Sequence, residues 1–76
     1  MYKTTVLLQD AKRANEFVHI CNQIDGRIEL ASGPYVMNAK SIMGIFSLDL
    51  SKPIKLQAHT DDPEKLVESI GKYIVK

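Results

Sequence analysis

The sequence predicts an α+β fold, a mainly antiparallel sheet with amphipathic helices packed on one of its faces. Three observations carry that prediction. Strand-like runs are interspersed with helix-like runs along the chain. Arg27–Ala31 and Tyr35–Met37 are separated only by Ser32-Gly33-Pro34, which makes them a hairpin. The first and last helical runs each gather their apolar residues on one stripe, as a helix does when it covers a sheet.

Taken in order, Tyr2–Leu8 is rich in Thr, Val and Leu and reads as a strand with a partly buried face. Asp10 offers an N-cap, and Ala14, Phe17, Val18, Cys21 and Ile24 follow at helical spacing. These side chains fall within about a third of a turn on a 3.6-residue helix. Lys12, Asn15, Glu16, His19, Asn22 and Gln23 take the other side. Asp25-Gly26 stops the helix, because Gly26 is free to adopt the left-handed conformation. After the hairpin, Ser41–Leu48 reads as a short helix with Ser41 at or near its N-cap and Gly44 lowering its propensity. Ser51-Lys52-Pro53 breaks the chain, and Ile54–Ala58 alternates as a strand.

The last helix has the firmest start signal. Asp61-Asp62-Pro63-Glu64 combines capping carboxylates, a proline in the first turn and an acid near the positive end of the helix. Leu66, Val67, Ile70, Tyr73 and Ile74 form its apolar stripe, while Glu64, Lys65, Glu68, Gly71 and Lys72 face water. The predicted order is therefore βαββαβα.

A chain of 76 residues makes one domain, 1–76, with room for a single lean core. That leaves no space for a deep substrate cleft beside a separate cofactor domain. Its hydrophobic share of 45% and charged share of 25% exclude disorder. Ten Lys and Arg against nine Asp and Glu leave a net charge of +1, so the basic excess of a nucleic-acid binder is missing. Cys21 is the only cysteine, which excludes an intrachain disulfide and a cysteine-cluster zinc site. A secreted domain of this size normally needs such staples, so a cytoplasmic setting is expected. The apolar run in Met1–Leu8 is too short for a signal peptide or a membrane span. No triad spacing, glycine-rich phosphate loop or metal motif is present, and neither an enzyme, a metal nor a cofactor is expected.

Function is then expected on the outside, and the second helix is the odd element. On a helical wheel Ile45 and Leu48 share one side, while Ile42, Met43 and Phe46 gather a third of a turn or more away. A two-turn helix on a sheet buries one face only. Either a loop folds over the second group, or that group is an exposed docking patch. Met43 suits a patch that adapts to several partners, because its side chain is flexible and polarizable. Ser41 serves as a cap, and the same position favours phosphorylation. A phosphate there would meet free backbone N–H groups at the positive end of the helix.

The run Asn38-Ala39-Lys40-Ser41-Ile42-Met43-Gly44-Ile45-Phe46-Ser47-Leu48 resembles the regulatory-serine segment, N-x-K-S-I-M-G-x-x-S-L, of HPr, the phosphocarrier of the bacterial sugar phosphotransferase system. The upstream hairpin and the downstream strand and helix align too, so the resemblance covers almost the whole chain. It implies that family's open-faced β-sandwich, a four-stranded antiparallel sheet with three helices on one side. The match fails at the carrier site, where HPr proteins have a phosphorylatable His within G-[IL]-H-A-R-P-A. Aligned on Arg13, this chain reads Gln9-Asp10-Ala11-Lys12-Arg13-Ala14-Asn15, which sets Ala11 in the place of the His. A methyl group accepts no phosphoryl group.

The resemblance thus implies a regulatory protein similar to the catabolite-repression relative of HPr, in which the carrier His is absent and the serine segment persists. By that resemblance Ser41 is the target of an HPr kinase/phosphorylase. Ile42, Met43 and Phe46 dock that kinase, a transcriptional regulator or a metabolic enzyme, and Lys40 and Arg13 lie near the phosphate. Two other readings stay open: a phosphocarrier with an atypical acceptor, and a constitutive binding module for which Ser41 is only a cap. His19, about 12 Å beyond Ala11 along the first helix at 1.5 Å per residue, and His59 read as surface or loop histidines. The expected form is a monomer or a weak homo-oligomer without nucleic-acid or membrane contact. Phe46, where the family commonly has Met, and Asp49, where it often has Gly, both bear on docking.

Overall fold

The alternation of apolar and polar side chains along the strands builds a sheet with one face dry and one wet. In the computed structural model, which describes residues 1–75, β1 (Tyr2–Val6), β2 (Arg27–Ser32), β3 (Tyr35–Asn38) and β4 (Ile54–His59) form an antiparallel sheet in the order β1-β4-β2-β3. The register places Val6 opposite Ile54, Thr4 opposite Leu56, and Leu30 between Leu56 and Met37. Val6, Ile28, Leu30, Ile54, Leu56 and Ala58 therefore point to one face and are buried there. Lys3, Arg27, Glu29, Lys55, Gln57 and His59 alternate with them on the opposite face.

The helices α1 (Ala11–Cys21), α2 (Ile42–Ile45) and α3 (Pro63–Ile70) cover the apolar face. Ala14, Phe17, Val18 and Cys21 of α1, Ile45 of α2, and Leu66 and Ile70 of α3 complete the core. Each helix starts on a side-chain cap. Asp10 accepts from the Arg13 N–H, Ser41 from that of Gly44, and Asp62 from that of Lys65. The architecture is the open-faced α+β sandwich expected from the sequence.

Element ends moved for local reasons. β1 stops at Val6, since Leu7 donates to the Tyr73 carbonyl and Gln9 turns the chain with a φ of 76°. α1 ends at Cys21 rather than Ile24: the N–H groups of Gln23 and Ile24 bond three residues back and tighten the last turn. Ile24 is buried all the same. Gly26 has a φ of 107°, and a Cβ there would run into the His59 carbonyl, so no other residue fits this turn without strain.

α2 is shorter than the expected Ser41–Leu48 span. It has four residues and then unwinds through three-residue turns at Ser47 and Leu48. α3 passes at Gly71 into a 3₁₀ turn, Gly71–Tyr73, which swings Tyr73 into the core and leaves Val67 and Ile74 only partly covered. Beyond that turn Ile74 and Val75 run along the outer edge of β1, where Ile74 bridges to Val6 and the Val75 N–H donates to Thr5. Among the described residues no helix is long and apolar enough to cross a membrane.

Candidate functional site

Two places are relevant, the first turn of α1 and the turn of α2. At α1 the left-handed Gln9 delivers Asp10 in an extended conformation. Asp10 Oδ1 then accepts from the Arg13 N–H at 2.9 Å. Ala11 is the first helical residue, with its methyl group exposed. The place where a first-turn phosphate would collect N–H donors is thus held by a carboxylate already.

The family motif fits this segment in two registers. Aligned on Arg13, it sets Ala11 at the His and meets its glycine at Gln9, whose positive φ is the conformation glycine favours. Moved back one residue, it matches Ala11 and Ala14 to its alanines, meets its Arg with Lys12 and sets Asp10 at the His. The second register is legible in the two alanines, but an alignment anchored on Arg13 hides it. Neither register offers an imidazole.

Arg13 is spent on structure. Its Nε donates to the Leu8 carbonyl at 3.0 Å and an Nη to that of Lys72 at 3.3 Å, while the guanidinium lies 4.9 Å from the Tyr73 ring centroid. Tyr73 in turn meets Phe17 edge-on at 5.3 Å. Lys72 pairs with Glu16 at 3.3 Å, a contact that raises the lysine pKa. Arg13 therefore clamps the start of α1 to the end of the chain. His19 sits exposed on α1, 3.3 Å from the Gln23 amide, and His59 lies on the open face of the sheet, 3.7 Å from Glu29. Neither histidine stands at the first turn.

At α2 the cap and the apolar residues come together. Ser41 is exposed, with φ −105° and ψ 105°, and its Oγ accepts from the Gly44 N–H at 3.4 Å. Ile45 is fully buried, and Ile42 and Leu48 pack partly on the core. Met43 is 81% exposed and Phe46 45% exposed, so no loop folds over them. The patch flanking Ser41 is thus Met43 and Phe46, with Ile42 at its floor. Beyond the turn, the Ser51 hydroxyl and N–H hold the Asp49 carboxylate below its usual pKa.

Lys40 points elsewhere. Its Nζ donates to the Ile24 carbonyl at 2.7 Å, its N–H to Asn38 Oδ1 at 2.9 Å, and its carbonyl accepts from Asn22 at 3.2 Å. Lys40 and Arg13 thus have separate sets of partners, and Ser41 is in neither. In the sequence Asn22 reads only as a polar-side residue of α1, and no local pattern signals its bridge, which joins residues eighteen positions apart.

Residues 9–76 match the family model described as the PTS HPr component phosphorylation site. Among solved structures, the chain is similar to HPr-C-His from Thermoanaerobacter tengcongensis, with 30% identity, a TM-score of 0.80 and coverage of 95% of this chain and 89% of that one. It is also similar to the phosphocarrier protein HPr of Bacillus anthracis strain Ames, with 28% identity, a TM-score of 0.75 and coverage of 97% and 94%. The histidine-containing phosphocarrier protein of a mycoplasma shares the fold at 18% identity, with a TM-score of 0.77 and coverage of 93% and 89%. A comparison with curated protein sequences returns no significant match.

Proposed function

The chain belongs to the PTS HPr family, and from that membership we propose that it is a cytoplasmic regulatory member that carries no phosphate on histidine and is switched by phosphorylation of Ser41. Proteins of this family are phosphocarriers rather than enzymes and act through contacts with other proteins of the phosphotransferase system. The single observation that carries the proposal is the contrast between the two helix starts. At α1, Ala11 and Asp10 offer a methyl group and a carboxylate already engaged with the Arg13 N–H. At α2 an exposed hydroxyl caps the helix beside exposed Met43 and Phe46.

A phosphoryl group on Ser41 would add about −1.5 to −2 charge at neutral pH. The segment can accept it without melting, since negative charge at a helix start is favoured. Its effect would fall on the adjoining apolar patch, where a partner that buries Met43 and Phe46 must also accommodate the dianion. An HPr kinase/phosphorylase is the proposed modifying enzyme, and a transcriptional regulator or a metabolic enzyme the proposed reader.

The test is to incubate the protein with an HPr kinase and ATP, with a control HPr in parallel, and to map the modified residue. The expected result is one phosphate, on Ser41. A modified control beside an unmodified Ser41 removes the proposal.

A carrier with an unusual acceptor is the second reading, and one observation favours it. The solved relatives include phosphocarriers, and in one register Asp10 falls where the family has its His. The acceptor would then be the Asp10 carboxylate and the product an acyl phosphate.

A further inference from the structure

Between β3 and α2 the chain reaches Ser41 through a segment in which successive backbone groups are bonded. The Ala39 N–H donates to the Ile28 carbonyl at 2.8 Å, and its methyl group is fully buried. The Ser41 N–H donates to the Asn38 carbonyl at 3.0 Å. Between these, Lys40 makes three bonds, and two of them leave the segment for the end of α1. Its ammonium takes the Ile24 carbonyl, and its carbonyl takes the Asn22 amide, which also donates to Val18 at 2.9 Å within α1. The Ile24 carbonyl lies in the turn that follows α1, and a cation is favoured near a helix C-terminus, so the 2.7 Å bond from Lys40 is electrostatically well placed.

We infer that Lys40 is the positioning residue of Ser41: with Asn22 it clips residues 38–41 to the end of α1 and so fixes where the Ser41 hydroxyl is presented. The inference departs from the expectation that Lys40 lies beside the phosphate. Its functional half rests on Ser41 being the modified residue, whereas its structural half does not.

Cys21 makes the clip observable. It lies in the last turn of α1, fully buried, and is the only thiol in the chain. Opening the clip loosens that turn and admits an alkylating reagent. Burial raises the Cys21 thiol pKa and the Lys40 charge offsets only part of that rise, so removing the charge alone would leave still less thiolate and slow the reaction. Faster alkylation without the charge therefore reports opening.

The experiment compares wild type with Lys40→Met, which keeps the apolar stem and loses the ammonium, and with Asn22→Ala, which removes the amide bridge only. Val67→Ala on α3 serves as a control for general destabilisation. Cys21 alkylation by iodoacetamide is measured on unmodified protein, and Ser41 phosphorylation is measured with an HPr kinase and ATP. Lys40→Met is expected to raise the alkylation rate about tenfold and to lower kcat/KM about tenfold through kcat. Asn22→Ala is expected to move both the same way by less, and Val67→Ala to move neither. An unchanged alkylation rate in Lys40→Met overturns the inference. So does a rise in KM with kcat intact, which would make Lys40 a docking contact. If wild type is not phosphorylated at all, the Ser41 reading fails, and the alkylation arm alone still decides whether the clip exists.

Discussion

At the scale of single residues, a few short polar side chains decide what each helix start can do. Asp10, Ser41 and Asp62 are all caps, and all were legible, because a polar residue ahead of an apolar-periodic run has a specific job to perform. Asp10→Ala removes the acceptor for the Arg13 N–H and is expected to cost about 1 kcal/mol in a urea titration, with the slope unchanged. It should leave Ser41 phosphorylation unaffected, since the two starts are separate. The directions of the long side chains were not legible. Lys40 and Arg13 carry the same charge and both flank candidate sites, yet each donates to a carbonyl that only the folded topology brings near, Ile24 for Lys40 and Lys72 for Arg13. A five- or six-atom side chain reaches partners far away in sequence, so charge and position alone do not give its role.

At the scale of elements, hydrophobic periodicity located every strand and α-helix but overran the ends of β1, α1, α2 and α3. α2 illustrates why. Ser41–Leu48 has the apolar content of a two-turn helix, but a short helix has little cooperativity to spend and Gly44 weakens propagation, so the run unwinds after Ile45. Unwinding does not hide the patch. It leaves Ile45 as the anchor and Met43 and Phe46 outside. The two roles separate in mutants. Ile45→Ala is expected to cost about 2–4 kcal/mol, because it leaves a cavity in the core. Met43→Ala should stay within about 0.5 kcal/mol of wild type while weakening binding of any partner that reads α2. Chemical denaturation of both variants checks the first part, and titration with an HPr kinase checks the second. A Met43→Ala protein as unstable as Ile45→Ala would place Met43 in the core and remove the patch. At the other end of the chain, α3 gives way at Gly71 to a 3₁₀ turn, which carries Tyr73 under Arg13 and closes the clamp on α1.

At the scale of the whole molecule, the core is apolar and the sheet leaves one face to water, so pH acts on stability through few groups. Cys21 is the clearest of them. Burial raises its thiol pKa from 9.0 to about 12. The folded state therefore holds its proton where the unfolded state releases it, and stability falls as pH rises through that interval, by at most about 1.4 kcal/mol per pH unit. Stability from pH 8 to 11 should decline more steeply in wild type than in Cys21→Ala. Equal slopes would mean that the thiol ionises freely in the folded protein. The lean core also explains why the functional reading is a surface one: among the described residues the interior is filled by one sheet and three helices, the first turn of α1 holds no histidine, and α2 starts on an exposed hydroxyl. That claim is tested most directly by supplying phosphate from both donors in parallel, phosphoenolpyruvate with enzyme I and ATP with an HPr kinase, and measuring the acid stability of the product. The account predicts label from ATP alone, stable to acid and mapped to Ser41. Acid-labile label from phosphoenolpyruvate, on His19, His59 or Asp10, would contradict it.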